Sequence, residues 1–243
     1  MFLALDIGNT NVSWALIEND RIMENGRWGA LTEISAGLAR LPRVEGVAAA
    51  TVAPEKARTI LAGVQRATRC DPIIAGRDLD APIQNLTRAP QRVGVDRLLA
   101  AVAAYTRTRT ATIVVDAGSA ITVDCVDAAG SFVGGAILLG PGLTARALHE
   151  FTERLPQVKI ARPESLIGRD TEESMQAGIY WGAVFAVEGM IEAIKRHGTE
   201  AETIITGGDG EWIAAELGLA SAYVPTLTLE GLWIAYKAKV GRM

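Results

Sequence analysis

Asp6-Ile-Gly-Asn-Thr10 follows directly on the apolar run Met1-Phe-Leu-Ala-Leu5, so a strand with a buried signature ends on a carboxylate and turns through glycine. About half a chain later, Val114-Val-Asp-Ala-Gly-Ser-Ala120 does the same. One aspartate at a strand end is commonly a turn cap. Two in equivalent places of a repeated unit ask for another reason. A glycine lacks Cβ and lets a phosphate approach the backbone. Successive N–H groups in a tight turn, joined by the side chains of Asn9, Thr10, Ser119 and Thr122, supply anion donors. A carboxylate beside them repels phosphate unless a cation lies between, so Asp6 or Asp116 is expected to hold Mg²⁺ or another metal, directly or through water. Two facing phosphate hairpins with acidic stems describe a nucleotide cleft between two like domains.

The rest of the chain fits a duplication. Residues 2–6, 11–17 and 21–28 read as strands, the last two forming a hairpin about Glu18-Asn-Asp20. A helix is expected over 31–41, a strand over 46–51, a helix from Pro54 and a short strand over 72–75. Residues 76–93 are polar and without period, hence a connecting loop, and 94–107 is an Ala- and Leu-rich helix. The order then recurs. Strands are expected over 111–116, 120–126 and 130–139, and helices over 143–155 and 171–197. Strand 203–206, helix 210–217, strand 220–224 and helix 229–239 complete the chain. Both halves read βββαβαβα, giving domains over 1–110 and 111–243. In the long helix, Gly178, Gly182, Ala186 and Gly189 form a small-residue stripe for close approach of another helix, within the chain or across a dimer.

Composition excludes several classes. Net charge is −4 with no Lys/Arg cluster, so no nucleic-acid or anionic-membrane footprint exists. Uninterrupted apolar runs fall short of the ~20 residues of a membrane span. Asp6, Asn9 and Asn11 break the apolar start before a signal h-region forms, and the protein reads as soluble and cytoplasmic. Cys70 and Cys125 read as buried reduced thiols, and His149 and His197 as surface positions. GxxxxGK[ST], GxGxxG and GxSxG are absent. Thr206-Gly-Gly-Asp-Gly210 is either a seat for an adenine ring or a plain loop.

With both hairpins placed, the pattern resembles the acetate and sugar kinase, Hsp70 and actin superfamily, whose members bind ATP between duplicated RNase H-like domains. Within it the chain resembles type III pantothenate kinase nearly end to end. The carrying stretches, besides the first hairpin, are Pro90-Gln-Arg-Val-Gly-Val-Asp-Arg97, Asp116-Ala-Gly-Ser-Ala-Ile-Thr-Val-Asp124, Gly134-Gly-Ala-Ile-Leu-Leu-Gly-Pro-Gly142 and Gly168-Arg-Asp-Thr171. The resemblance implies an α/β fold of two duplicated RNase H-like (actin-like ATPase) domains with the nucleotide cleft between them. It also implies phosphorylation of pantothenate by ATP, the first step of coenzyme A synthesis.

Carried over residue by residue, the resemblance makes Asp96 the catalytic base and Gly94, Val95, Asp96 and Arg97 the pantothenate segment. Thr171 reaches pantothenate from a neighbouring subunit. The ATP loop becomes Asp6, Ile7, Gly8, Asn9, Thr10, Asn11, Val12 and Ser13, with Ser119 as a further contact. Asp116 becomes the ligand of a monovalent cation, K⁺ or NH₄⁺, and Asp6 the Mg²⁺ residue, directly or through water. A homodimer is implied. Independently, a carboxylate in the first turn of a helix and beside an arginine, as Asp96 is, is favoured in its ionised form and ready to accept a proton. Arg97 is suited to the pantothenate carboxylate.

Three departures from the family pattern stand out. They are Ser119 for threonine, Asp170 for asparagine, and Thr51-Val-Ala-Pro54 for a serine-led form. The alternative reading is a catalytically idle relative acting as a transcription-accessory or regulatory protein. Such a relative would be free to lose Asp6, Asp96 or Asp116, and all three stand.

Overall fold

The computed structural model describes residues 1–197 and 200–241. The chain divides into two compact units. The first comprises Met1–Arg107, Gly130–Phe132 and Thr226–Met243, and the second Thr108–Ala129 and Val133–Pro225. The last helix, which the sequence reading runs on with the second half, therefore packs with the first.

The first unit is built on a five-stranded sheet. Its strands are β1 (Phe2–Ile7), β2 (Val12–Glu18), β3 (Arg21–Trp28), β4 (Gly46–Thr51) and β5 (Ile73–Ile74). They lie in the order β3-β2-β1-β4-β5, with β1 antiparallel to β2 and parallel to β4. Period-two alternation sends Leu3, Leu5 and Ile7 to one face, which buries against α1 (Leu31–Leu38) and α2 (Pro54–Thr68) through Ile34, Leu38, Ile60 and Val64. Phe2 and Ala4, with Ala48 and Ala50 of β4, line the other face. There they meet Leu99 of α3 (Val95–Thr108) and Leu229, Leu232 and Ala235 of α7 (Leu227–Val240). The two helices touch backbone to backbone: a Cβ on Gly231 would fall 1.9 Å from the Leu99 carbonyl oxygen.

The second unit repeats the pattern. Its strands are β6 (Thr112–Ala117), β7 (Ala120–Val126), β8 (Phe132–Leu139, whose first residue belongs to the first unit) and β9 (Glu202–Thr206), ordered β8-β7-β6-β9. Again the first strand is antiparallel to the second and parallel to the last. Ile113, Val115 and Ala117 pack on Val187 and Ile191 of α5 (Thr171–Arg196) and on Ile213 and Ala214 of α6 (Gly210–Glu216). α4 (Pro141–Glu150) joins Val158, Met175 and Ile179 in a smaller cluster. Because β1 and β6 alternate in step, Asp6 and Asp116 occupy equivalent places on the sheet faces turned away from α1/α2 and α5/α6.

One expected strand is missing. Residues 220–224 form a 3₁₀ turn at Ala220–Ala222 and a single parallel bridge from Tyr223 to Ile205. Pro225 has no N–H with which to extend the ladder. The counterpart in the first unit, β5, is itself only 2 residues long.

α5 tempers the expectation drawn from uninterrupted apolar runs. By length and composition it is apolar enough to cross a membrane, a criterion that core helices of globular proteins also meet, and 39% of the qualifying window is buried within the chain. Among the described residues, nothing lies within 4 Å of a Cβ built on Gly178, Gly182 or Gly189. The small-residue stripe is therefore not used for a close intrachain approach. Cys70 and Cys125 are free and half-buried rather than buried, and His149 and His197 are exposed.

Candidate active site

The first hairpin closes where the Gly8 N–H donates to the Asn11 carbonyl at 3.0 Å. Asp6 stands directly opposite Ser13 and Ile7 opposite Val12, so the Asp6 and Ser13 side chains share one face. Asn9, Thr10 and Asn11 form an exposed tip. Below it, the Thr51 hydroxyl donates to the Ile7 carbonyl at 3.1 Å and accepts from the Ala53 N–H at 3.0 Å. The Lys56 ammonium donates to the Gly8 and Asn9 carbonyls at 2.9 and 3.2 Å.

In the same unit, Gly94 immediately precedes α3. A Cβ at residue 94 would fall 2.4 Å from Asp96 Oδ1, so glycine is what leaves room for that carboxylate. The same oxygen accepts the Arg97 N–H at 2.9 Å. The Arg97 guanidinium lies over the Phe132 ring, 5.5 Å from its centroid. Phe132 is fully buried and tied to the long loop, donating to the Gln84 carbonyl at 2.8 Å and accepting from the Leu86 N–H at 2.9 Å. That ties the 76–93 loop to the ring on which Arg97 rests.

The second hairpin closes one residue tighter, with the Gly118 N–H donating to the Ala120 carbonyl at 2.9 Å. Asp116 stands opposite Thr122 and, on its other side, beside Thr206 of β9. The Thr122 hydroxyl, expected as an anion donor, instead donates to the buried Asp124 at 3.1 Å. Two glycines pack against this hairpin through their backbones. The Gly140 N–H donates to the Ser119 carbonyl at 3.0 Å, and a Cβ at residue 140 would fall 2.0 Å from the Gly118 carbonyl oxygen. Gly207, at φ +91°, would put a Cβ 2.2 Å from the Ala117 carbonyl oxygen and 2.5 Å from Asp116 Oδ1. With the Asp209 N–H donating to the Ala117 carbonyl at 2.8 Å, the 206–210 turn is part of the wall around Asp116.

Thr171 opens α5 and lines a cavity of about 650 Å³ with Gly168, Arg169, Asp170, Ser174 and Thr144. Asp170 caps the helix, its carboxylate accepting the Glu173 N–H at 2.8 Å, while Glu173 accepts the Arg169 N–H at 2.8 Å. The Asp170 departure thus has a local structural account, since aspartate and asparagine cap equally well. Gly168 is required by space: its Cβ would lie 2.2 Å from the Ser174 nitrogen.

The segment leading to this motif is pinned by Arg162. Its guanidinium donates to Glu216 at 2.6 Å, and the Tyr180 hydroxyl donates to the same carboxylate at 2.8 Å. Arg162 and then Tyr180 hold the Glu216 carboxyl below its ordinary 4.5. Burial first, then the hydrogen bond to Glu216 and its charge, push the Tyr180 phenol up to about 12. A depressed carboxylate stabilises the fold above its unfolded value and loses that contribution as pH falls; a raised phenol does so below its own and loses it as pH rises. The melting temperature is therefore expected to be flat between about pH 5 and pH 9 and to fall on either side. Glu216→Gln should flatten the acid limb relative to the wild type. Parallel acid limbs for the two proteins would show that Glu216 does not titrate there.

The model of the type III pantothenate kinase family matches residues 2–193. The chain belongs to the type III pantothenate kinase family. A type III pantothenate kinase from Paramagnetospirillum magneticum is 36% identical over 249 residues, covering 96% of this chain and 95% of that one. Among solved structures, a Campylobacter jejuni protein described as a Baf family transcriptional activator aligns with a TM-score of 0.63 at 21% identity, covering 98% of this chain and 99% of that one. The activator of 2-hydroxyisocaproyl-CoA dehydratase from Clostridium difficile, solved with bound ADPNP, aligns at 0.55 and 15% identity, covering 99% and 96%. At such identities likeness speaks to fold alone, and that fold is the one shared by actin-like ATPases and sugar kinases. Sequence reasoning missed the Lys56 contacts and the backbone packing of Gly140 and Gly207. A lysine in the first turn of a helix, where acids are favoured, was the one available signal for the former.

Proposed function

We propose that this chain transfers the γ-phosphoryl group of ATP to the hydroxyl of pantothenate, giving 4′-phosphopantothenate, the first step of coenzyme A synthesis. The observation that carries the reading is the seating of Asp96 over Gly94 in a chain of this family. The Asp96 carboxylate accepts the proton of the attacking hydroxyl as the new O–P bond forms and the bond to the ADP oxygen breaks. In a loose transition state the proton leaves late, so placement of the carboxylate matters more than its basicity. Arg97, held over the Phe132 ring, pairs with the pantothenate carboxylate. Gly94 and Val95 complete that contact, and Thr171 supplies another from a neighbouring subunit.

The hairpin 6–13 and Ser119 bind the nucleotide through backbone N–H groups and short hydroxyl side chains. Hard oxygen donors are what Mg²⁺ and K⁺ accept, and the strand-end carboxylates Asp6 and Asp116 are of that kind. Among the described residues no cluster of three His, Cys, Asp or Glu side chains forms a metal site, consistent with a cation completed by phosphates and water. Asp6 would hold Mg²⁺, directly or through water, and Asp116 K⁺ or NH₄⁺. When bound, these ions neutralise charge on the phosphates. The open stripe Gly178/Gly182/Gly189 beside half-exposed Phe185 supports a homodimer. With ATP as donor, the place of action is the cytoplasm.

The test is ADP release from ATP and Mg²⁺ by the purified chain, with and without pantothenate, in K⁺ and then in Na⁺ buffer. Turnover that requires pantothenate and is greater in K⁺ is expected. Turnover indifferent to pantothenate, or none in either buffer from a folded protein, would overturn the reading.

A further inference from the structure

We propose that Lys56 is a positioning residue for the ATP phosphates, acting through the backbone of the first hairpin. The inference rests on the reading of that hairpin as an ATP site. Three consecutive carbonyls, those of Ile7, Gly8 and Asn9, are each held by a side chain from the short segment 51–56. Thr51 takes the first at 3.1 Å and Lys56 the other two at 2.9 and 3.2 Å. In a trans peptide the C=O and the following N–H point in opposite directions. The Gly8 carbonyl belongs to the same plane as the Asn9 N–H, and the Asn9 carbonyl to the same plane as the Thr10 N–H. Drawing both carbonyls onto one ammonium turns both N–H groups to the opposite side of the loop. The Gly8 N–H is meanwhile spent on Asn11 in closing the turn. The Asn9 N–H is thus oriented before any anion arrives, the arrangement by which backbone donors bind phosphate.

The position of this lysine argues against a merely incidental contact. Lys56 is the third residue of α2, which begins at Pro54. A cation in the first turn of a helix opposes the macrodipole, where an acid would be favoured. Its ammonium has three donors, and two are committed to the hairpin. The contact also spans 48 residues of sequence to Gly8, so only the folded sheet brings the pair together.

The experiment uses the full chain as wild type, Lys56→Met and Lys56→Arg. It measures KM for ATP and for pantothenate, calorimetric binding of ATP and of adenosine, and the amide resonances of Asn9 and Thr10 without nucleotide. Lys56→Met is expected to raise the ATP KM and weaken ATP binding by about tenfold, the loss of one well-placed interaction. Pantothenate KM, adenosine binding and melting temperature should change little, and the Asn9 amide should shift. Lys56→Arg should recover most of the ATP affinity. An unchanged ATP KM in Lys56→Met overturns the proposal, as does an equal rise in both KM values with a lowered melting temperature. A wild type that binds no ATP would instead remove the reading of the hairpin on which the proposal rests.

Discussion

Asp96→Asn is expected to lower pantothenate-dependent ADP release by about a thousandfold, within the range a positioned base contributes. The amide has nearly the same shape as the carboxylate and still fits over Gly94, where Oδ1 sits within 2.4 Å of a built Cβ. It also retains an oxygen to accept the Arg97 N–H now bonded at 2.9 Å. What it loses is the capacity to take the hydroxyl proton. The effect should therefore fall on kcat, with KM for both substrates within a few-fold and the melting temperature close to wild type. A fall in kcat of less than about tenfold would remove Asp96 from the role of base.

Gly140→Ala is expected to produce the second largest loss, about a hundredfold in kcat/KM for ATP, the scale of a 1 Å misplacement at a reacting centre. The new methyl would lie 2.0 Å from the Gly118 carbonyl oxygen and 2.6 Å from that of Ser119. Both neighbours are backbone, so no rotamer change relieves the overlap. The second hairpin must move, taking Ser119 and the end of β6 with it. Overpacking of this kind also costs about 1–3 kcal/mol of stability. Gly142→Ala provides the control two residues along the same motif, because nothing lies within 4 Å of its Cβ. Steady-state ATP kinetics and thermal melting of both variants settle the matter. Equal behaviour of the two would mean that the Gly140 contact with the hairpin is not needed.

Some readings failed for local reasons. The strand expected over 220–224 is apolar enough to be one, yet Pro225 and the early start of α7 at Leu227 leave it a single bridge. The Thr122 side chain, read as a donor to anions, turned to Asp124, a neighbour that period-two geometry places on its own face. The intrachain use of the glycine stripe was equally open on paper; the empty space around Gly178, Gly182 and Gly189 rules it out among the described residues.

What the sequence determined by itself was the periodic and the punctuated. Alternation of apolar residues along β1 and β6, ended each time by Asp and Gly, specified two like sheets and put Asp6 and Asp116 in equivalent places. The Gly94-Val-Asp-Arg97 motif located α3's first turn in the same way. These are local features, set by backbone geometry and burial within a few residues. Tertiary structure decided which distant backbones touch. Lys56 reaches Gly8, Gly140 reaches Gly118, Gly207 reaches Ala117, and α7 returns to close on α3 at Gly231 and Leu99. None of these contacts has a period or a spacing. Each follows only once the strands have paired and the helices have packed, because close approach of two backbones depends on the whole fold that brings them there.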